Sequence, residues 1–196
     1  MPPRRKFEGV DFSTQPVLFA TPALAALGQG FRCIRPEFVT YWKKGRIATE
    51  RAAAMCQCWV LAIGPDLAGY LTLLADKLTL EAPILQAEGV RYATLPAVKI
   101  GFLAADERAK GAGRRLVEWA LEYTAAELAP RLGVRFVTLN AFYDPDTGYD
   151  VSGFYQKIGF RFANPDEPLP PPHAYRTMYF DLKPLLDLLS LAADAV

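Results

Sequence analysis

The stretch IGFLAADERAKGAGRRLVEWAL, residues 100–121, changes character twice within its own length. Residues 100–105 are apolar, 106–115 are charged and carry glycine, and from 116 apolar side chains recur at helical spacing. That order reads as strand, turn and helix. In the turn, RAKGAGRRL (108–116), Gly111 and Gly113 stand among four basic residues, Arg108, Lys110, Arg114 and Arg115. The first amides of a helix lack acceptors within it, and the helix dipole makes that end partly positive, so an anion is stabilised there. Glycine lets the main chain approach such a guest closely. The pattern points to a turn built around phosphate.

The segments on either side fit an α/β chain. Residues 21–28 read as a short helix with Thr21 as cap, Pro22 in first position and Gly28 as stop. Residues 36–55 have helical composition, weakened at Gly45. Strands are expected at 57–63 and 68–74, adjacent and antiparallel across the turn Gly64-Pro65-Asp66, and again at 97–104. The stretch 78–92 reads as irregular. A helix over 113–128 presents Leu116, Val117, Ala120, Leu121, Thr124 and Leu128 on one face, with Pro130 and Gly133 to end it. A strand at 134–140 follows. This strand, helix, strand unit predicts a right-handed crossover between parallel strands. A short helix over 151–158 stopped by Gly159, a proline-rich loop at 165–172, a strand at 175–182 and a helix from 184 complete the chain.

Length and composition bound the function. The 196 residues fit one domain, and an apolar fraction of 52% suffices for a sizeable core. No apolar run approaches the ~20 residues of a membrane span, and residues 1–15 form a basic arm without the apolar stretch of a secretory signal. The net charge of +1 does not advertise a nucleic-acid binder. Cys33, Cys56 and Cys58 make no disulfide framework, which points to a reducing cytoplasm. Cys56 and Cys58 share a strand face with Val60, and with His173 the only histidine, core thiols are the better reading and no metal is expected.

The choice of phosphate ligand is narrowed by what the turn lacks. It has neither the Lys-Ser/Thr of a Walker loop nor the third glycine of the dinucleotide fingerprint, where Leu116 stands. What remains is [Gln/Arg]-x-x-Gly-x-[Gly/Ala], filled by Arg108, Gly111 and Gly113. The whole window resembles the coenzyme A-binding motif of the GNAT superfamily of N-acetyltransferases. Downstream, GFYQKIGF (153–160) resembles that superfamily's second hallmark. The resemblance spans about 31–182 and implies a GNAT fold, a twisted mixed sheet whose two central parallel strands, 97–104 and 134–140, splay apart. It implies acetyl-CoA as cosubstrate. Its pantetheine arm would run beside Phe102, Leu103 and Ala104. Its pyrophosphate would sit on the turn formed by Arg108, Ala109, Lys110, Gly111, Ala112, Gly113 and Arg114.

A finer pattern resembles the GNAT toxins of bacterial toxin–antitoxin pairs, which acetylate the amino group of an aminoacyl-tRNA. Phe31 and Cys33, Trp59-Val60-Leu61, Gly69-Tyr70-Leu71-Thr72-Leu73 and 95–106 carry it. Ile34 replaces the glycine usual after the cysteine, the Leu-Asp expected a few residues on is absent, and 184–196 extends beyond the pattern as a C-terminal helix. The resemblance implies charged tRNA and a cognate antitoxin as partners.

Acetyl transfer needs a neutral amine, a donor for the tetrahedral oxyanion and a proton for the departing sulfur. Phenol and thiol acidities, about 10 and 8.5, lie close enough for a placed tyrosine to supply that proton. Tyr155 stands at the superfamily's tyrosine position, and the oxyanion donor is expected to be a main-chain amide near Leu103. The base is open. The strand 97–104 holds no carboxylate, only Lys99, and Glu81, Glu88, Tyr143 and Asp144 are candidates by vicinity alone. The amine of an aminoacyl ester is acidic enough to need no strong base. Gly148 stands where the family has an asparagine that contacts the pantetheine arm, and Asn140 is the candidate substitute. Phe142, Tyr143 and Tyr149 are candidates for an acceptor pocket or for rim packing. A tRNA acceptor predicts a basic groove from Arg4, Arg5, Lys6, Arg91, Lys99 and Arg135. An ordinary amine acceptor predicts a closed apolar pocket. A coenzyme A-binding module without catalysis is the third reading, against which Tyr155 and the glycine turn argue. Leu185, Leu186, Leu188, Leu189 and Leu191 are available to the core or to a homodimer.

Overall fold

The computed structural model describes residues 6–79, 89, 92, 94–167 and 174–193. Arg4, Arg5, Glu81, Glu88, Arg91 and His173 lie outside the described residues, as do most of 78–92 and of the proline-rich loop and the last residues of the C-terminal helix. The chain divides into two compact units, Met1–Leu74 with Ile100–Ala120, and Ala75–Lys99 with Leu121–Val196.

In the first unit, β1 (Leu18–Phe19) pairs antiparallel with β2 (Gln57–Ile63), Leu18 opposite Val60. β2 turns into β3 (Asp66–Leu78), of which Asp66–Leu74 belong to this unit and the rest to the second, with Trp59 opposite Leu71. β2 has the bounds its composition predicts. β3 outlasts its expected end because alternation persists beyond Leu74. The helix expected at 21–28 is a single turn, α1 (Pro22–Ala25), and Thr21 makes no side-chain cap bond. The chain bends away at Gly28, whose φ of +90° only glycine adopts freely. The single helix expected at 36–55 is two, α2 (Pro36–Lys43) and α3 (Arg46–Ala52). Gly45, at φ +65°, separates them.

These helices cover one face of the sheet. Tyr41, Trp42 and Ile47 pack with Cys58, Val60, Leu67, Tyr70 and Ala104. The Tyr70 hydroxyl donates to the Phe38 carbonyl at 2.8 Å, which satisfies a fully buried phenol and pins α2 to β3. Cys56 and Cys58 are buried, and desolvation pushes the Cys58 thiol up to about 12. They are core thiols, inert as nucleophiles.

β4 (Leu95–Ala105) contributes to both units. The helix after it is α4 (Ala112–Tyr123), continued by a wider π turn at Thr124–Leu128 and then α5 (Ala129–Leu132). Pro130 therefore does not end the helix as expected. It lacks the amide an α-turn requires and its ring would meet the carbonyl four residues back. The chain accommodates it by widening one turn, with Ala129 N–H bonded to Thr124 O. Gly133, at φ +66°, is the stop.

In the second unit, β5 (Phe136–Asp144) carries a short partner, β6 (Tyr149–Asp150). α6 (Ser152–Gln156) leads to β7 (Arg161–Phe162) and then β8 (Tyr175–Asp181). β8 pairs antiparallel with β5 from Phe136 opposite Asp181 to Phe142 opposite Tyr175. α7 (Lys183–Ala193) closes the chain. Leu78, Leu95, Ala97 and Phe136 form a core cluster, with Tyr179 beside it. The strand order is β1-β2-β3-β4-β5-β8-β7, with β6 on β5 and β4 parallel to β5, as the crossover predicts. Among the described residues, no helix is long and apolar enough to cross a membrane.

Gly69 and Gly133 separate two kinds of glycine requirement. A Cβ at Gly69 would stand 2.7 Å from the Ala104 carbonyl, whereas Gly133 has nothing within 4 Å and only its φ of +66° to defend. Gly69→Ala is expected to cost about 2–3 kcal/mol and Gly133→Ala about 1–2. Urea midpoints of the two variants against the parent measure both.

Candidate functional site: the glycine turn and the Tyr155 helix

The turn after β4 is fixed from inside. Asp106 N–H donates to Ala68 O at 2.8 Å, and its carboxylate, only 2% exposed as a residue, accepts four hydrogen bonds. These come from Arg32 N–H at 3.0 Å, Arg108 N–H at 3.0 Å, Arg108 Nε at 2.8 Å and Arg108 Nη2 at 2.7 Å. Arg108 Nη2 also reaches Gly30 O at 2.6 Å. Burial would raise the carboxyl's pKa. The Arg108 side chain and the two main-chain donors outweigh it and hold the group below its ordinary value.

That arrangement redistributes the four basic side chains. Arg108 turns to Asp106 and Gly30, Arg114 lies along the helix on Glu118 at 2.7 Å, and Arg115 Nε reaches Gln15 O at 3.1 Å. Lys110 is exposed and has no partner among the described residues. Ala109 and Ala112 tuck inward, both nearly fully buried. The first main-chain bonds of the helix run from Ala112 N–H to Ala109 O at 3.1 Å and from Arg115 N–H to Gly111 O at 3.0 Å. The amides of Lys110, Gly111, Gly113 and Arg114 thus have no acceptor among the described residues. Gly111 adopts φ +97°, and a Cβ there would meet nothing within 4 Å. Unpaired amides, open space and a lone ammonium at the start of a 12-residue helix fit a pyrophosphate. Asp106 entered the sequence reading only as the last residue of the toxin-like pattern over 95–106, with no role assigned; the structure gives it one, as the anchor of the turn.

Phe102 does not project freely. Its ring stacks on Tyr41 at 3.9 Å and meets Phe38 edge-on at 5.3 Å. Its N–H donates to the Thr72 hydroxyl at 2.9 Å. Leu103 is half-buried and Ala104 buried. Beside them Gly101 has no room for a side chain, since a Cβ would stand 2.7 Å from Leu74 Cδ2.

In the second unit, Tyr155 lies on α6 and is buried, with rings of Phe154 and Phe160 at 5.0 and 5.8 Å. Ser152 N–H caps onto Asp150 Oδ1 at 2.8 Å, and Phe160 N–H returns to Tyr155 O at 3.1 Å. Gly159, at φ +112°, makes that return possible and lets Phe160 pack on Phe180. The closing Gly-Phe of the motif is therefore what seats the tyrosine. Asn140 lies within β5, not at its end, because the strand runs on to Asp144; its Oδ1 accepts from Thr177 Oγ1 at 3.3 Å. Asp144 accepts from Thr147 Oγ1 at 2.7 Å and Asp146 N–H at 3.0 Å, which hold its carboxyl below the ordinary value. A carboxylate so engaged is a poor base. Phe142 clusters with Tyr149 and Tyr175, and Tyr143 pairs opposite Asp150.

The candidates for a basic groove are partly neutralised. Lys6 pairs with Asp66 at 2.5 Å, and Arg135 is gripped by Asp181 at 2.9 and 3.0 Å. Lys99 is half-buried on β4. Among the described residues no group of three or more His, Cys, Asp or Glu could hold a metal ion.

No protein-family model matches the sequence, and no curated protein matches it. Solved structures do. A Tyr-to-Phe mutant of KacT is 19% identical, with a TM-score of 0.69 over 89% of this chain and 99% of its own. AtaT complexed with acetyl-methionyl-tRNAfMet is 18% identical, with a TM-score of 0.70 over 89% of this chain and 98% of its own. AtaTR bound with AcCoA gives 19% identity and a TM-score of 0.64, over 89% of this chain and 96% of its own. The chain has the fold of these GNAT toxins.

Asp106 supplies a test of the turn. A folded carboxyl held below its ordinary 3.8 contributes fully at higher pH, fades as the pH falls past that value, and is gone below the folded value. Asp106→Asn is expected to cost on the order of 3 kcal/mol at pH 7, since it leaves the guanidinium without its counter-charge. Urea midpoints should show the gap between parent and variant narrowing between pH 5 and pH 3.

Proposed function

We propose that this chain is an acetyl-CoA-dependent N-acetyltransferase that acetylates the amino group of an aminoacyl-tRNA, in the manner of a toxin. The carrying observation is the unpaired run of amides at the start of α4, in a fold shared with structures solved with AcCoA and with acetyl-methionyl-tRNAfMet. Acetyl-CoA supplies the acetyl group as an activated thioester. In this reading the amides of Lys110, Gly111, Gly113 and Arg114 bind its pyrophosphate, with the Lys110 ammonium as counter-charge. Arg108 serves by holding the turn. Phe102, Leu103 and Ala104 line the arm, the Leu103 amide is the oxyanion donor, and Asn140 makes a side-chain contact in place of the residue missing at Gly148. The Tyr155 hydroxyl holds the proton that the departing sulfur takes. The acceptor amine enters neutral and gives its proton to water, in keeping with the engagement of Asp144 in its own turn.

A Tyr-to-Phe mutant of the AtaT toxin has been solved with the C-terminus of the antitoxin AtaR and acetyl-CoA. That supports a cognate antitoxin as partner here. The whole chain is read as one acetyltransferase domain.

Thiol release from acetyl-CoA against charged tRNAs, free amines, peptides and aminoglycosides tests the acceptor. Turnover is expected with charged tRNA, and turnover with free amines alone would replace this reading with that of a small-molecule acetyltransferase. Tyr155→Phe is expected to lower kcat about 100-fold or more while leaving coenzyme A affinity unchanged. An unaltered kcat would remove Tyr155 from the role of acid.

A further inference from the structure

A cavity of about 540 Å³ opens in the first unit between the α1 segment and the corner of α2 and α3. Its walls include Ala20, Pro22, Leu27, Trp42 and Ile47. The walls are packed. Trp42 Nε1 donates to Leu27 O at 2.8 Å, and a Cβ at Gly28 would stand 3.1 Å from both Trp42 Nε1 and Leu67 Cδ2. Glycine at 28 is what lets the segment close onto the indole.

The charge around this apolar space has one sign. Lys43 and Arg51 line it, no acidic residue does among the described residues, and Lys44 and Arg46 flank the lining residue Gly45. Lys43, Lys44 and Arg46 are exposed and have no carboxylate partner among the described residues. Arg51 is immobilised: Nη1 bonds Ala20 O, Nε bonds Gln57 Oε1 at 3.3 Å, and the guanidinium lies 4.5 Å over the Phe19 ring. Its Nη2 has no acceptor among the described residues.

We propose that this cavity binds a small amphipathic anion, an aliphatic or aromatic body carrying one carboxylate. The volume falls in the range of small-molecule sites, about 300–1,000 Å³, and such sites pair apolar walls with a few fixed polar groups. A wholly apolar guest would leave the cations unused, and an inorganic anion would be desolvated against walls that offer it nothing. A guest with both characters uses both. Arg51 has a planar guanidinium already held in place, suited to a carboxylate at little entropic cost. The inference does not rest on the acetyltransferase reading, because none of these residues belongs to the glycine turn or to the Tyr155 helix.

Decanoate is the probe, titrated by calorimetry into the full chain, with decanol as its uncharged counterpart. Decanoate is expected to bind at micromolar concentration and decanol at least about tenfold more weakly. Ala48→Trp, on the exposed side of α3, fills the cavity and should abolish decanoate binding while the thermal midpoint and coenzyme A affinity stay as in the parent. Lys43→Glu should weaken decanoate about tenfold and leave decanol unmoved. No decanoate binding up to millimolar concentration overturns the proposal, as does binding that Ala48→Trp leaves intact or decanol that binds equally well. An acidic, leucine-bearing peptide that binds where decanoate does not would also overturn it, in favour of a docking groove.

Discussion

The buried carboxylate of Asp106 is the constraint on which the glycine turn depends. A carboxylate removed from water costs several kcal/mol unless its lone pairs are filled and its charge is met. Here one guanidinium and two main-chain amides do both, and they come from two separate stretches, Arg32 and Arg108. The Glu107 amide adds a bond to Arg32 O at 3.0 Å and Arg108 Nη2 one to Gly30 O, so the turn is tied to that segment three times. The consequence is a division of labour. The side chain that looks most suited to a phosphate, Arg108, is spent on position, and it is main-chain amides that the turn leaves open.

Close approach is the second theme, and glycine and aromatic residues share it. Gly69 and Gly101 stand where β3 and β4 leave no room for a Cβ. The Thr72 hydroxyl takes the Phe102 amide, and the Phe102 ring is stacked on Tyr41 of α2. The strand segment read as the wall of the pantetheine arm is thereby fixed from two directions within its own unit. Preorganisation of this kind lowers the ordering cost of any ligand that runs along it.

Much of this was legible because periodicity and turn chemistry are local. β2 appears at its expected bounds, and the parallel pairing of β4 with β5 followed from the crossover between them. What failed depended on one residue overruling a longer pattern. Gly45 in a left-handed conformation outweighs helical composition on both sides, and Pro130 is absorbed by a π turn that no sequence window announces. The site divides in the same way. The glycines and the tyrosine were visible because their spacing is short and fixed. The role of Asp106 and the cavity walls were not, since Arg32 reaches Asp106, and residues from Ala20 to Arg51 meet around the cavity, only through the fold.

Net charge illustrates why such partners matter more than totals. A sum of +1 suggests indifference to anions, yet the sum hides how the charges are spent. Arg108, Arg135, Lys6 and Arg114 are each matched to a carboxylate, so they contribute little field beyond their own pair. Lys110 at the glycine turn and Lys43, Lys44 and Arg46 at the cavity are unmatched among the described residues. An anion approaching the first unit therefore feels positive potential where there is also something to receive it, open amides in one case and apolar walls in the other. For a chain of this composition, recognition of a negatively charged partner is set by which cations the fold leaves unpaired.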